Sequence, residues 1–393
     1  MRQDPLDYLA VDLQALRDQG LYRRLRVLDE EQKARTSIDH RLVVNLSSNN
    51  YLGLTTHPKL RERAIDAIRT LGVGSGSVRT IAGTMDIHLQ LEQKLAAFKR
   101  TEAAVVFQSG FAANAGTVSA ILGREDVIVS DELNHASIID GARLSRATIK
   151  VFPHRDVAAA RHILEELPQA QRKLLISDGV FSMDGDLGAL PALCDLAEEF
   201  GCIMMVDDAH ASGVFGEQGR GTVDHFGLHG RVDVQVGTLS KALGVLGGYV
   251  AGSRALVEFL SHRARPFLFS TSHPPAVAAA CLAAIDVLET EPWLMDQLWE
   301  NTRFFKGGLA ALGFDTGASE SPITPVIVGD GRLAMALSDR LFEMGVFAQG
   351  IGFPTVPRGK ARVRTIVTAT HTRDQLQFAL DCFKNVGTEL RVI

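Results

Sequence analysis

Short runs rich in valine and isoleucine alternate with longer segments of helical period along most of this 393-residue chain. The apolar runs predict central strands at Ala103–Phe107, Val127–Val129, Leu174–Ser177, Ile203–Val206 and Val232–Val236. The periodic segments predict helices at Ile87–Phe98, Val157–Leu167, Leu190–Phe200 and Pro274–Leu288. Because strands that alternate with helices are typical of βαβ units, we expect an α/β protein with a mostly parallel central sheet flanked by helices.

Three consecutive segments are expected, residues 1–50, 51–290 and 291–393. The first holds an amphipathic helix at Asp4–Gly20 and a strand at Leu42–Leu46, and the second is the large domain that contains the central sheet. The pattern changes after Glu291, which predicts a smaller α+β domain in the C-terminal segment. Its expected elements are a helix at Trp293–Leu312, a strand at Thr324–Val328, a helix at Arg332–Met344, strands at Val346–Gly350 and Ala361–Val367, and a helix from Arg373.

Composition and charge exclude several classes of protein. The chain has 41 basic and 46 acidic residues, so it offers no basic face for nucleic acid. The first residues are charged, and the longest apolar stretch, Ala276–Ile285, is about half of the roughly 20 residues that cross a bilayer. The four cysteines lie far apart, which is typical of core thiols in a reducing compartment rather than of disulfides or a zinc site. We therefore expect a cytoplasmic protein with no metal, membrane or nucleic-acid partner.

Ionisable residues follow two of the predicted strands, at the sheet edge where ligands bind in open α/β folds. Asp207 and Asp208 end one strand, and because neighbouring strand residues point to opposite faces, only one of them can face a given ligand. Asp207 could instead form a salt bridge or cap a helix. Lys241 follows the next strand among small and apolar residues. Partial desolvation lowers the pKa of such a lysine and suits it to imine formation, although an ordinary loop lysine also fits this stretch.

Two further segments offer an anion site and an aromatic ring. Gly110 and Phe111 lie between a strand and a helix, where free N–H groups and the helix dipole favour a phosphate, and Thr238 and Ser240 could also contact it. His135 follows another strand and could stack on a planar ring or cap a helix. A lysine for an imine, an aspartate for a pyridinium, amides for a phosphate and a ring for stacking are together what pyridoxal phosphate (PLP) requires.

Two alternatives of other classes stay open at this point. The spacing His229-x-x-x-Asp233 occurs in some acyltransferases that use no cofactor. A non-catalytic subunit of the same fold is the other alternative, and the presence of Lys241 argues against it.

The order of several motifs along the chain resembles that of the α-oxoamine synthases. These are fold-type I PLP enzymes that condense a small amino acid with an acyl-CoA. The motifs are Leu46-Ser-Ser-Asn-Asn-Tyr-Leu-Gly, Ser77-Val-Arg-Thr-Ile-Ala-Gly-Thr, Asp131-Glu-Leu-Asn-His-Ala-Ser, Asp178-Gly-Val-Phe-Ser-Met-Asp-Gly-Asp, Val206-Asp-Asp-Ala-His, Thr238-Leu-Ser-Lys and Pro354-Thr-Val-Pro-Arg-Gly-Lys-Ala-Arg-Val-Arg.

This resemblance implies roles around the cofactor ring. Lys241 carries the cofactor as an imine and serves as the base, and Asp207 keeps the ring nitrogen protonated. His135 stacks on the ring and stabilises the developing oxyanion. His210 and Ser182 approach the 3-oxygen. The expected catalytic residues are therefore Lys241, His135, Asp207 and His210.

The resemblance also implies how the phosphate is held and where the site lies. Gly110, Phe111 and Thr238 bind the phosphate. The active site lies at the interface of a homodimer, and the partner's Ser270 and the partner's Thr271 approach the same phosphate.

The substrates follow from the resemblance too. Asn49 and Arg364 match positions that hold the amino-acid carboxylate, with His135 nearby, and Thr355 matches a position that lines the substrate site. The first expectation is the glycine C-acetyltransferase branch, which joins glycine to acetyl-CoA to give 2-amino-3-oxobutanoate and CoA. The alternative is the 8-amino-7-oxononanoate synthase branch of biotin synthesis, which joins alanine to a pimeloyl thioester with loss of carbon dioxide. An enzyme that performs both reactions is also open.

Overall fold

The strands of the central sheet form where valine and isoleucine dominate. A computed structural model describes residues 4–18, 22, 24–168 and 172–393. Its strands are β1 (Arg35–Ile38), β2 (Arg41–Asn45), β3 (Ala103–Phe107), β4 (Val127–Asp131), β5 (Thr148–Phe152), β6 (Lys173–Asp178), β7 (Ile203–Asp207), β8 (Val234–Thr238), β9 (Gly248–Gly252), β10 (Ile323–Gly329), β11 (Val346–Phe347), β12 (Gln349–Ile351) and β13 (Ala361–Ile366).

The helices occupy the segments between these strands and at both ends of the described chain. They are α1 (Tyr8–Asp18), α2 (Pro58–Leu71), α3 (Asp86–Lys99), α4 (Gly110–Ile121), α5 (Ala136–Ser145), α6 (Val157–Glu165), α7 (Leu190–Phe200), α8 (Thr222–His225), α9 (Arg254–Arg263), α10 (Arg265–Leu268), α11 (Pro275–Thr290), α12 (Trp293–Ala311), α13 (Gly331–Glu343) and α14 (Arg373–Glu389). Local sequence explains several boundaries. For example, α7 ends at Gly201, whose φ of 62° is left-handed and favours glycine, and α14 begins with a capping box between Thr372 and Gln375.

The central sheet has seven strands in the order β3-β9-β8-β7-β6-β4-β5. Only β9 runs antiparallel to its neighbours, so the predicted mostly parallel sheet is confirmed. Both faces are covered, because the adjacent residues Met204 and Met205 of β7 belong to apolar clusters on opposite sides. Burial on both faces explains why these strands are continuous apolar runs rather than alternating ones.

Two small sheets complete the fold. One has the order β10-β13-β12 and forms the predicted smaller C-terminal domain. The other has the order β1-β2-β11, so a strand near residue 346 pairs in parallel with the N-terminal segment. The stretch predicted as one strand, Val346–Gly350, is therefore divided between two sheets. The boundaries at residues 50 and 290 stay a prediction.

Some elements differ from the sequence prediction for physical reasons. Strand β5 was not predicted because it is an edge strand in which four of the five residues are exposed, and it carries threonine and lysine. Strand β9 begins and ends in glycine, and residues of this type weaken a strand pattern. Strand β8 begins at Val234 rather than at Val232.

The N-terminal helix is shorter than predicted. It begins at Tyr8 rather than Asp4, and residues 19 and 20 of the predicted helix lie outside the described residues. None of its side chains is buried. Across the ranges that the structure describes, we find no helix with both the length and the apolar character needed to cross a membrane.

Candidate active site

The carboxyl ends of β4, β6, β7 and β8 meet at one edge of the central sheet and border a cavity of about 200 Å³. Nine of the residues that the sequence singled out line this cavity: Gly110, Phe111, His135, Ser182, Asp207, His210, Thr238, Ser240 and Lys241. They come from loops that are far apart in sequence, and the parallel strand order brings them to one place.

The two aspartates at the end of β7 point in different directions, as strand alternation predicts. Asp207 lies on the cavity, where it accepts hydrogen bonds from Asn114 Nδ2 at 2.6 Å and from the Ala209 N–H at 2.8 Å. Asp208 faces away and forms a fully buried ion pair with Lys99, whose Nζ is 2.9 Å from Oδ2. Asp207 therefore remains a carboxylate without a cationic partner among the described residues.

Lys241 lies on the same cavity. Burial lowers the pKa of its amine to about 8, against the opposing effect of the negative charges of Asp207 and Asp178. Within the described ranges, no residue hydrogen-bonds its Nζ, which is available to an incoming ligand. An amine with this pKa is partly neutral near neutral pH, as a nucleophile or proton acceptor must be.

His135 has its proton fixed by neighbouring polar groups. The Ser137 N–H donates to His135 Nδ1 at 3.2 Å, and the Ser137 hydroxyl lies 2.7 Å from the same nitrogen. Burial lowers the pKa of this imidazole, so the neutral ring carries its proton on Nε2. His135 thus caps α5 and borders the cavity, which combines the two roles that the sequence left open.

His210 is held neutral in a similar way. Burial lowers its pKa well below the usual value, and the nearby charges of Lys241 and Arg364 lower it further. Its Nδ1 lies 2.7 Å from the hydroxyl of Tyr51. Because burial raises the pKa of Tyr51, this hydroxyl stays protonated and is able to donate to Nδ1. In that tautomer His210 carries its proton on Nε2, which has no hydrogen-bond partner among the described residues.

Sequence reasoning missed two buried polar residues of the cavity, Asn114 and Asp178. Asp178 ends β6 in register with Asp207, and burial together with the charge of Asp207 raises its pKa well above the usual value. Asn114 Oδ1 and Asp178 Oδ1 are both buried without a hydrogen-bond partner among the described residues. Asn114 follows Gly110 by one helical turn, a spacing that could have identified it. Such orphaned polar atoms are typical of a cavity built for a polar ligand.

One end of the cavity is suited to a phosphate. Ser109 caps α4 by accepting the Ala112 N–H at 3.0 Å. The N–H groups of Gly110 and Phe111, at the start of this 12-residue helix, have no hydrogen-bond partner within the described ranges and can bind an anion. A Cβ at Gly110 would lie 3.3 Å from Cβ of Thr238, so glycine permits the tight approach of the two segments. The hydroxyls of Thr238 and Ser240 lie 2.8 Å apart beside them. This cradle, the free Asp207 and the available Lys241 fit PLP.

Of the four predicted substrate residues, His135 lines the cavity, whereas Asn49, Thr355 and Arg364 lie outside its lining. Arg364 donates to the Ser182 carbonyl at 3.0 Å, and in the described part of the chain it has no carboxylate partner. Burial lowers the pKa of this guanidinium, as expected for a buried cation that lacks an anion. Asn49 Oδ1 is buried with no partner among the described residues. Thr355 is exposed in a turn.

Ser270 and Thr271 also lie outside the cavity lining of their own chain. The Thr271 carbonyl accepts a hydrogen bond from Gln108 Nε2 at 2.9 Å, and Thr271 forms an isolated bridge with Val78. Their predicted approach to a partner's phosphate stays a prediction.

The alternative His–Asp pair of a cofactor-free acyltransferase is wrong. His229 Nε2 lies 2.8 Å from Asp224 rather than from Asp233. The carboxylate of Asp233 instead accepts the Met204 N–H at 2.8 Å, where β7 begins. The spacing is therefore a coincidence of two structural contacts.

Comparisons with known proteins agree with this geometry. The chain matches the family described as aminotransferase class I and II over residues 41–383. It is 63% identical over 388 residues to the 8-amino-7-oxononanoate synthase of Symbiobacterium thermophilum, which covers 98% of this chain and 99% of that relative. The 8-amino-7-oxononanoate synthase 1 of Bacillus subtilis is 53% identical over 387 residues, with coverage of 98% and 99%.

A solved structure gives the same result for the fold and cofactor. The serine palmitoyltransferase from S. paucimobilis with a bound PLP–myriocin aldimine has a TM-score of 0.94 at 32% identity, over 100% of both chains. The predicted fold-type I architecture and the PLP dependence are thereby confirmed. The names of the two curated relatives match the second of the two predicted branches rather than the first. The chain belongs to the aminotransferase class I and II family and, within it, to the PLP-dependent α-oxoamine synthases.

Proposed function

We propose that this chain catalyses the 8-amino-7-oxononanoate synthase reaction, in which alanine and a pimeloyl thioester condense with loss of carbon dioxide. The observation that carries the proposal is the 63% identity over 98% of the chain to a relative of that name, against 32% to the serine palmitoyltransferase. It reverses the order expected from the sequence, in which glycine with acetyl-CoA came first.

The first expectation rested on the motifs Leu46-Ser-Ser-Asn-Asn-Tyr-Leu-Gly and Ser77-Val-Arg-Thr-Ile-Ala-Gly-Thr, and several residues of these motifs belong to the scaffold. Tyr51 and Leu52 of the first motif are each 1% exposed and pack in the core. A Cβ at Gly83 of the second would lie 2.1 Å from the Ser77 carbonyl oxygen, so that glycine is required by the backbone. Such residues are required by the fold that both branches share, so they do not indicate which acyl chain is bound.

The proposed cofactor site uses the residues of the cavity. Gly110, Phe111 and Thr238 would hold the phosphate, Asp207 would pair with the ring nitrogen, and Lys241 would bond to the aldehyde. When bound, PLP supplies an electron sink that stabilises negative charge at the amino-acid Cα. Asp207 supports this because its carboxylate has no cationic partner among the described residues and is oriented by Asn114.

Proton transfer is assigned to Lys241. With a pKa of about 8, its Nζ is able to accept the Cα proton of alanine and to return one later. Placement on the same cavity as Asp207 keeps that amine beside the reacting carbon.

The two histidines act as neutral hydrogen-bond donors. His135 Nε2–H faces the site because Nδ1 is occupied by Ser137, and it would stabilise the oxyanion that forms at the thioester carbonyl. His210 Nε2–H would hold the 3-oxygen of the cofactor together with Ser182, since Tyr51 occupies Nδ1.

The substrate carboxylate is assigned to Arg364, with Asn49 as a second contact and Thr355 at the entrance. A half-buried guanidinium without a carboxylate partner among the described residues is suited to bind that anion through two parallel hydrogen bonds. The Asn49 side chain, whose Oδ1 has no partner within the described ranges, is available to orient it.

The proposal includes a cytoplasmic homodimer with a shared site, as the resemblance implies. Large apolar side chains beside Thr271 support a covered surface there. Val73, Ile81 and Phe269 are 78%, 82% and 71% exposed, and Val78 bridges to Thr271. The partner's Ser270 and the partner's Thr271 would then complete the phosphate site.

A direct assay tests the reaction. The purified holoenzyme is supplied with alanine and pimeloyl-CoA or its carrier-protein thioester, and separately with glycine and acetyl-CoA. We expect kcat/KM for the first pair to be greater by about a hundredfold or more, with release of one carbon dioxide per product. A preference for glycine with acetyl-CoA would contradict the proposal.

A further inference from the structure

One histidine outside the cavity contacts both the loop after β4 and the loop after β6, which border the cavity. His154 lies between β5 and α6, and each of its ring nitrogens faces a carboxylate. Its Nδ1 is 3.0 Å from Asp131 Oδ1, and its Nε2 is 2.8 Å from Asp186 Oδ2. The edge of its ring packs against Phe181, with ring centroids 4.4 Å apart and planes at 85°.

The two carboxylates belong to the two loops that carry cofactor-facing residues. Asp131 ends β4 four residues before His135, and its carboxylate also accepts the Leu133 N–H at 2.9 Å. Asp186 ends the loop after β6, four residues beyond Ser182, and the Phe181 N–H donates to its carbonyl at 3.0 Å. Both aspartates are nearly inaccessible, so each depends on partners within the protein.

We propose that His154 is a positioning residue that fixes the His135 loop relative to the Ser182 loop and thereby sets the affinity of the cavity for its cofactor. The inference rests on the proposed assignment of the cavity as the PLP site. No contact between His154 and the cofactor is needed, because each of the two carboxylates belongs to a loop that carries a residue of the cavity lining.

The charge of His154 explains why the contact is strong. Burial lowers the pKa of the ring, but the hydrogen bonds to Asp131 and Asp186 raise it more, to about 9. Only the doubly protonated imidazolium donates to both carboxylates at once. At neutral pH the two loops are joined, and above about pH 9 one of the two hydrogen bonds is lost.

Other charged groups around His154 do not replace it. Arg155 also contacts both loops, because its backbone N–H donates to Asp131 Oδ2 at 2.8 Å and its Nη1 lies 3.4 Å from the same Asp186 oxygen and 3.5 Å from Glu320. Its contact with Asp186 is longer than that of His154, however, and its side chain is 39% exposed and shared with Glu320. Glu132 accepts the backbone N–H of His154 at 2.9 Å and leaves the ring untouched. Asp186 Oδ1 is buried without a partner among the described residues, so the contact depends on Oδ2 alone.

The test compares variants of the full-length enzyme by their affinity for PLP. His154→Leu removes both hydrogen bonds, and His154→Gln keeps one donor and serves if the first variant does not fold. His162→Gln is the matched control, because His162 lies on α6 with a side chain 75% exposed and, among the described residues, forms ion pairs with Glu165 and Glu166 alone. Circular dichroism checks folding, and the absorption band of bound PLP gives Kd from pH 7 to 10.

At pH 7 we expect Kd for PLP to rise about tenfold or more in His154→Leu, less in His154→Gln, and not in His162→Gln. The ratio of variant to wild-type Kd should fall toward one as the pH rises past about 9, because the wild type then loses the same contact. Titration of Lys241 affects both proteins equally and cancels in this ratio.

Two results would overturn the inference. One is a folded His154 variant with wild-type affinity at pH 7, and the other is a raised Kd whose ratio does not change with pH, which indicates a purely structural role. Failure of the wild type itself to bind PLP would instead defeat the proposed function.

Discussion

At the scale of single residues, position after a buried strand was the most informative feature. Asp207 and Lys241 could be singled out because an ionisable residue at such a position is visible in the sequence. The hydrogen bonds that orient the site residues could not be read from the sequence in the same way. Asn114 contacts Asp207 across 93 residues, and Tyr51 contacts His210 across 159. These pairings depend on the folded chain, and no local pattern encodes them.

Two lysines have similarly lowered pKa values but different surroundings. Burial lowers the pKa of both Lys241 and Lys306 to about 8. However, Lys306 Nζ donates to acceptors of Ser319 and Ser321 at 2.8 to 2.9 Å, whereas Lys241 faces the cavity. We therefore expect borohydride to fix PLP on Lys241 alone, as measured by peptide mass.

The same experiment extends to variants. The Lys241→Ala variant should form no borohydride adduct, and its kcat should be lower by about a thousandfold or more. The Lys306→Ala variant should still form the adduct and have a kcat close to that of the wild type. A label on Lys306, or normal turnover by Lys241→Ala, would contradict the assignment.

At the scale of secondary-structure elements, apolar runs predicted the strands that are buried on both faces. The same reasoning failed for β5 and β9, because an exposed edge strand and a glycine-bounded strand lack that pattern. Close packing between β8 and β9 explains why one position in this part of the sheet is glycine. A Cβ at Gly237 of β8 would lie 2.4 Å from the Tyr249 ring on β9.

The buried ion pair between the end of α3 and the end of β7 gives a stability prediction. Lys99 and Asp208 are 1% and 0% exposed, and Asp208 also accepts the Thr222 N–H at 3.1 Å. Lys99→Met should lower the free energy of unfolding by about 3 to 5 kcal/mol, because it leaves a buried carboxylate unpaired. Asp208→Asn in the same chain should recover most of that loss.

Urea denaturation measures both variants. Arg161→Gln is the control, because it removes the exposed pair with Glu199, whose loss should cost less than about 1 kcal/mol. If Lys99→Met and Arg161→Gln lowered the free energy of unfolding by the same amount, the buried pair would contribute no more to stability than a surface pair.

At the scale of the whole molecule, the C-terminal domain contacts a loop that borders the cavity. Arg362 and Arg364 of β13 both donate to the loop after β6, to the Met183 and Ser182 carbonyls at 3.0 Å. The N-terminal segment joins the same region through the pairing of β2 with β11. The change of pattern after Glu291 predicted the second domain, but this contact involves residues about 180 positions apart and leaves no local trace.

The exposed apolar side chains beside Thr271 make the dimer testable. Phe269 is 71% exposed, and burial of a phenylalanine against a partner is worth about 1.5 to 3 kcal/mol. Phe269→Asp should therefore weaken dimer formation by about tenfold to a hundredfold in sedimentation velocity. Activity should fall in parallel at low protein concentration and recover at high concentration, since a shared site works only when assembled.

Val151→Asp on β5 is the control, because this 55% exposed residue lies on an edge strand of the sheet. A monomeric wild type, or a monomeric Phe269→Asp with full activity, would place the complete site within one chain.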